Sequence, residues 1–141
     1  MDKKRILIIP CSGVGKAFGM VGREAMYTVV EDARPEVTDT VCLSLLTLGD
    51  EDAQARVRTQ PTITIDGCPK MCARVNVEAS GGSPTASFRV VDTYRRLREL
   101  KPQAVAMPDD AGRQLARALA KEVVVEVDRL QMAADTCQGE V

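Results

Sequence analysis

The chain has 141 residues, which is enough for one domain with its own hydrophobic core and too few for two domains of ordinary size. Its 19 lysines and arginines nearly balance its 20 aspartates and glutamates, so the net charge of −1 lacks the basic excess that is typical of nucleic-acid binders. Histidine is absent and cysteine occurs 5 times, which excludes imidazole catalysis and histidine-ligated zinc within this chain and leaves thiolates as the expected ligands or nucleophiles.

The N-terminal segment predicts a strand rather than a targeting signal. The apolar run at residues 6–9 ends at Pro10 and is shorter than the roughly 7–15 apolar residues of a secretory signal. No stretch of the sequence reaches the roughly 18 apolar residues of a membrane span. We therefore expect a soluble, cytoplasmic protein that binds neither membranes nor nucleic acid. In that reducing compartment, clustered cysteines indicate metal or redox chemistry rather than a disulfide framework.

Strands alternate with helices along the chain. Apolar runs bounded by turn residues predict the strands, and apolar residues at helical spacing predict the helices. The predicted elements, in chain order, are a strand at 4–9, a helix at 16–33, a strand at 37–41, a helix at 50–59, a strand at 62–65, a helix at 69–79, a strand at 87–91, a short basic helix at 93–100 and a long helix from 108 onward.

This alternation predicts a three-layer α/β fold. A mostly parallel, Rossmann-like sheet of about four strands would carry helices on both faces. No repeat or linker divides the sequence, so we expect one α/β metal-binding domain over residues 1–141.

Cysteines follow three of the predicted strands. Cys11 comes directly after the first strand, and Cys42 follows the second. Cys68 follows the third, and Cys72 lies one predicted helical turn beyond Cys68, on the same side of that helix. Because the functional crevice of a parallel sheet lies outside the carboxyl ends of its strands, we expect these four thiols to meet at one edge. Four thiolates hold Zn²⁺ tetrahedrally, so the arrangement predicts a zinc site.

Other interpretations of the cysteines remain open. Four cysteines suit an iron–sulfur cluster equally well, and Cys68 with Cys72 would serve a metal-free redox protein or sulfur carrier. Cys42 also fits a buried structural thiol. Cys137 lies in a polar tail and is interpreted as incidental, with a mobile fifth thiol as the alternative.

The expected role is not catalytic. A closed four-sulfur shell leaves no open position for a substrate, and this argues against an enzyme. A shell that lacks one thiol would admit a water molecule and reopen the question. A structural, sensory or metal-handling role is therefore expected.

Two short motifs beside the cysteines have ambiguous roles. The turn at residues 12–15, followed by Lys16, resembles a phosphate loop but has Pro10 and Ala17 where that motif needs glycine and a hydroxyl residue. It is interpreted either as an anion-binding or thiolate-binding turn or as a site where the next helix packs closely on the strand. Asp66 is interpreted as a turn former, with hydrogen-bond acceptor or oxygen ligand as alternatives.

Several of these short motifs together resemble the DGC-domain family, which is named for a central Asp-Gly-Cys. The matching segments are Pro10-Cys11-Ser12-Gly13, Cys42-Leu43, Asp66-Gly67-Cys68-Pro69, Cys72-Ala73 and Glu78 before Gly81-Gly82. The likeness covers roughly residues 4–82. It implies zinc binding by four cysteines, here Cys11, Cys42, Cys68 and Cys72, and it supplies neither a reaction nor a substrate.

Overall fold

The computed structural model describes residues 5–11, 16–67 and 69–139, with side chains up to residue 135. Four strands form one sheet in the order β2-β1-β3-β4, and every neighbouring pair is parallel. The strands are β1 (Ile6–Pro10), β2 (Thr38–Asp39), β3 (Thr62–Asp66) and β4 (Ala86–Arg89).

Helices cover both faces of this sheet. One face carries α1, which continues as a π-helical segment, together with α5 and α6, and the other face carries α2, α3 and α4. The helices are α1 (Ala17–Tyr27), the π-helical segment (Thr28–Ala33), α2 (Leu43–Leu48), α3 (Glu51–Thr59), α4 (Cys72–Ala79), α5 (Val90–Arg96) and α6 (Asp110–Gly139). The predicted three-layer α/β architecture is thus confirmed.

Strand β1 explains why the first apolar run is continuous. Ile6 and Ile8 pack into the core beneath α1 and α6, whereas Leu7 and Ile9 pack into the core beneath α2, α3 and α4. A strand that is buried on both faces needs apolar side chains at every position.

The elements around the second cysteine differ from the prediction. Strand β2 has only two residues, Thr38–Asp39, instead of the five predicted at 37–41. The chain then forms α2, a helix that was not predicted. Gly49, in the left-handed region at φ 82°, ends this helix.

The helix that carries Cys72 also begins later than predicted. It starts at Cys72 rather than at residue 69, and Met71 before it has a left-handed φ of 52°. Cys72 is therefore the first residue of α4 and does not lie one helical turn inside the helix. Farther along, β4 begins at Ala86 rather than at residue 87 and α5 begins at Val90 rather than at residue 93, and the long final helix is present from Asp110.

Candidate metal centre

The sheet order places three cysteine-bearing segments side by side. β1 lies between β2 and β3, so their carboxyl ends are neighbours. Pro10, the last residue of β1, is in register with Ile65 of β3. The backbone N–H of Cys11 then donates to the Ile65 carbonyl oxygen at 3.0 Å. Cys11 is thereby held at the strand end where the sequence places it.

Cys11 and Cys42 line one cavity at this edge of the sheet. The cavity has a volume of about 410 Å³ and lies among the end of β1, the chain between β2 and α2, and one side of α1. Cys42 is the residue directly before α2 and is exposed, while Cys11 is partly buried against the core beneath α2, α3 and α4. Two cysteines that are distant in sequence thus share one space.

The environment of Cys42 favours the thiolate. The backbone N–H groups of Ser44 and Leu45 lower the pKa of this thiol, with smaller contributions from the Ser44 hydroxyl and the Arg23 guanidinium. The small desolvation of Cys42 acts in the opposite direction and does not outweigh them. A thiol with a lowered pKa is a better metal ligand and nucleophile because the thiolate performs both functions.

Asp66 fixes the position of Cys72. Its carboxylate is 1% exposed and accepts the backbone N–H of Ala73 at 2.7 Å and of Arg74 at 3.2 Å. It therefore satisfies the first donors of α4 and determines where that helix begins. Burial raises the pKa of Asp66, and these two N–H groups offset part of that rise. Asp66 thus accepts hydrogen bonds from the backbone at the start of α4.

Gly67 brings the same segment close to α1. A Cβ built on Gly67 would lie 2.7 Å from the backbone nitrogen of Gly19 and 2.9 Å from the carbonyl carbon of Phe18. Any side chain here would collide with backbone, so the Asp-Gly pair lets β3 end against α1.

The structure describes the other predicted site residues to different extents. Cys72 is exposed at the head of α4. Cys68 and the turn at residues 12–15 lie outside the described residues, and Cys137 is described only as backbone within α6. Among the side chains that the structure describes, no three cysteines or carboxylates form a group that could hold a metal ion.

Sequence reasoning missed Arg23 and the hydrogen-bond partners of Asp66. Arg23 reaches the cavity from α1, and Asp66 acts on backbone groups seven and eight positions away along the chain. No local pattern marks either contact, because both depend on how α1 and α4 pack on the sheet.

The fold and this site define an α/β protein in which Cys11 and Cys42 share a cavity at the carboxyl edge of a parallel sheet. The DGC domain profile matches residues 7–107, and the chain belongs to the DGC domain family. The match extends well beyond the residues on which the resemblance in sequence rests. Neither a curated protein nor a solved structure matches this chain significantly. In the described part of the chain, no helix combines the length and apolar character needed to cross a membrane.

Proposed function

We propose that this chain binds one zinc ion through the thiolates of Cys11, Cys42, Cys68 and Cys72. The observation that carries the proposal is the cavity shared by Cys11 and Cys42, which brings together two cysteines from different strand ends. The third strand end, β3, is adjacent to β1 and leads within two residues to Cys68.

The chemistry of the donors fits zinc. All four proposed ligands are sulfur, which zinc accepts in closed tetrahedral sites. Cys42 is already disposed to lose its proton, so metal binding there displaces that proton at a smaller cost in free energy. Cys72 is exposed at the head of α4, whose position Asp66 determines.

The proposed role is structural, sensory or metal-handling. A bound ion would connect the chain segments after β1, β2 and β3, and four sulfur ligands would leave no position for a substrate. The proposed setting is the reducing cytoplasm, where thiols remain available for metal.

Metal analysis of protein purified without oxygen tests this function. We expect about one zinc per chain and no visible absorption, as a closed four-cysteine site requires. Replacing Cys11, Cys42, Cys68 or Cys72 singly by serine should sharply lower the zinc content, and the matched control Cys137→Ser should leave it unchanged.

Other results would identify a different function. A brown protein that absorbs visible light would show an iron–sulfur cluster. A protein with no metal and a reversible Cys68–Cys72 disulfide would indicate redox or sulfur-carrier chemistry. Equal loss of zinc in all five variants would contradict the assignment of ligands.

A further inference from the structure

The cavity beside Cys11 and Cys42 contains a positive charge that is not itself a metal ligand. Arg23 projects from α1 and lines this cavity. Within the described part of the chain, its guanidinium forms no salt bridge. We propose that the cavity binds a small organic carboxylate whose charged group pairs with Arg23.

Arg23 is held in place by its own helix. Its Nε and Nη2 atoms each lie 3.4 Å from the hydroxyl oxygen of Tyr27, one turn later. The guanidinium carbon is 5.9 Å from the centre of the Tyr27 ring, which is within range of a cation–π contact. The guanidinium thus contacts a neutral partner, and none of the described acidic side chains pairs with it.

The rest of the cavity matches a carboxylate with a short apolar body. The side chains of Met26, Val41 and Leu43 supply apolar wall, and none of the described lining residues is acidic. A volume of about 410 Å³ lies within the range of small-molecule sites, which combine an apolar lining with a few polar groups. A single guanidinium suits one carboxylate, which it pairs through two parallel hydrogen bonds.

The proposed carboxylate site is the cavity itself, and it does not need a bound metal. A carboxylate paired with Arg23 would lie in the same space as the thiols of Cys11 and Cys42. The thiol of Cys42 therefore reports whether an anion enters the cavity.

Alkylation by a matched pair of reagents tests the proposal. Iodoacetate carries a carboxylate, and iodoacetamide is its neutral counterpart. In each reaction the thiolate sulfur forms a bond to carbon, the carbon–iodine bond breaks and iodide leaves. The full-length chain is reduced and stripped of metal, and rates at Cys42 and Cys72 are read by peptide mass spectrometry. Dividing the two rates at one cysteine cancels its thiolate fraction.

We expect Arg23→Gln to lower the iodoacetate-to-iodoacetamide ratio at Cys42 by about two- to fivefold, which is the effect of one nearby charge in a water-like environment. The ratio at Cys72 should not change. Arg117→Gln removes an equal charge from an exposed position on α6 and should leave both ratios unchanged. An unchanged ratio at Cys42 in Arg23→Gln, or an equal fall in Arg117→Gln, would overturn the proposal.

Competition provides a second measurement that needs no variant. Butyrate should slow the reaction of iodoacetamide with Cys42 in the wild-type chain and leave Cys72 unaffected. Butyramide has the same shape without the charge and should slow neither. Equal protection by butyrate and butyramide, or none by either, would refute a carboxylate site. Zinc content is measured on untreated protein, so failure here is distinct from failure of the metal proposal.

Discussion

Asp66 is the residue on which the start of α4 depends. Replacing it with alanine removes the acceptor for the N–H groups of Ala73 and Arg74 in a buried position. We expect Asp66→Ala to lower the free energy of unfolding by about 1–3 kcal/mol, as measured by urea denaturation. Asp32→Ala, at an exposed position of the π-helical segment, is the control and should change it by less than about 0.5 kcal/mol. Equal losses in both variants would contradict a capping role.

Gly67 is the second residue of the Asp-Gly pair, and we expect its replacement to destabilise the protein as well. Gly67→Ala places a Cβ 2.7 Å from the Gly19 backbone nitrogen, so one of the two segments must move. We expect a loss of about 1–3 kcal/mol in the free energy of unfolding. Gly22→Ala is the comparison on α1, because the closest contacts of its Cβ would be side-chain methyl carbons, Ile65 Cγ2 at 3.1 Å and Val90 Cγ2 at 3.4 Å, rather than backbone. If Gly22→Ala lowers the free energy of unfolding more than Gly67→Ala does, the segment after β3 can move away from α1 at little cost, and the prediction is wrong.

Among the elements, the π-helical segment is joined to α6 by an ion pair. Arg34, directly after the segment, donates from Nε and Nη2 to the two carboxylate oxygens of Asp128 at 2.8 and 2.9 Å. Its backbone N–H donates to the Val29 carbonyl oxygen, five residues earlier, at 2.8 Å. The Arg34–Asp128 ion pair thus connects the end of the π-helical segment with α6.

This ion pair makes part of the stability depend on pH. The hydrogen bond from Arg34 holds the pKa of Asp128 below its ordinary 3.8. Its stabilising contribution is therefore present above the ordinary carboxyl pKa and is lost as the pH falls through the lowered value. Asp128→Asn should be slightly less stable than wild type at neutral pH, and this difference should disappear in acid. Thermal melts across that range measure it.

The control for this experiment lies on the same helix. Asp110 is 95% exposed, so Asp110→Asn should melt almost like the wild type at every pH. A stability difference for Asp128→Asn that persists in acid would rule out the charged pair as its source.

Elements that are buried on both faces, or have a long apolar stripe, were predictable from the sequence. β1 is a continuous apolar run and β3 alternates between threonine and isoleucine. The long helix α6 buries Leu115, Leu119 and Val123 on one stripe. By contrast, α2 buries only Leu46 of its four leucines, so its pattern marks no helical face. The start of α4 could not be predicted because the carboxylate that caps it belongs to β3.

At the scale of the whole molecule, strand order made part of the candidate site predictable. Parallel strands joined by helices bring their carboxyl ends to one edge, and Cys11 and Cys42 do share a cavity there. Arg23 enters the cavity only because α1 packs across that edge, which no local pattern encodes. The core on the α1 face also needs α6, which begins at Asp110, after the family match ends at residue 107.

The proposed metal would couple this edge of the sheet to overall stability. An ion that binds only the folded chain adds stability by mass action, about 2.7 kcal/mol when its free concentration is a hundred times the dissociation constant. Removing zinc with a chelator should therefore shift the urea midpoint of the wild-type protein to lower concentration. Cys42→Ser should begin near that lower midpoint and respond little to the chelator, whereas Cys137→Ser should respond like the wild type. Identical midpoints for the wild-type chain with and without chelator would show that no metal stabilises these strand ends.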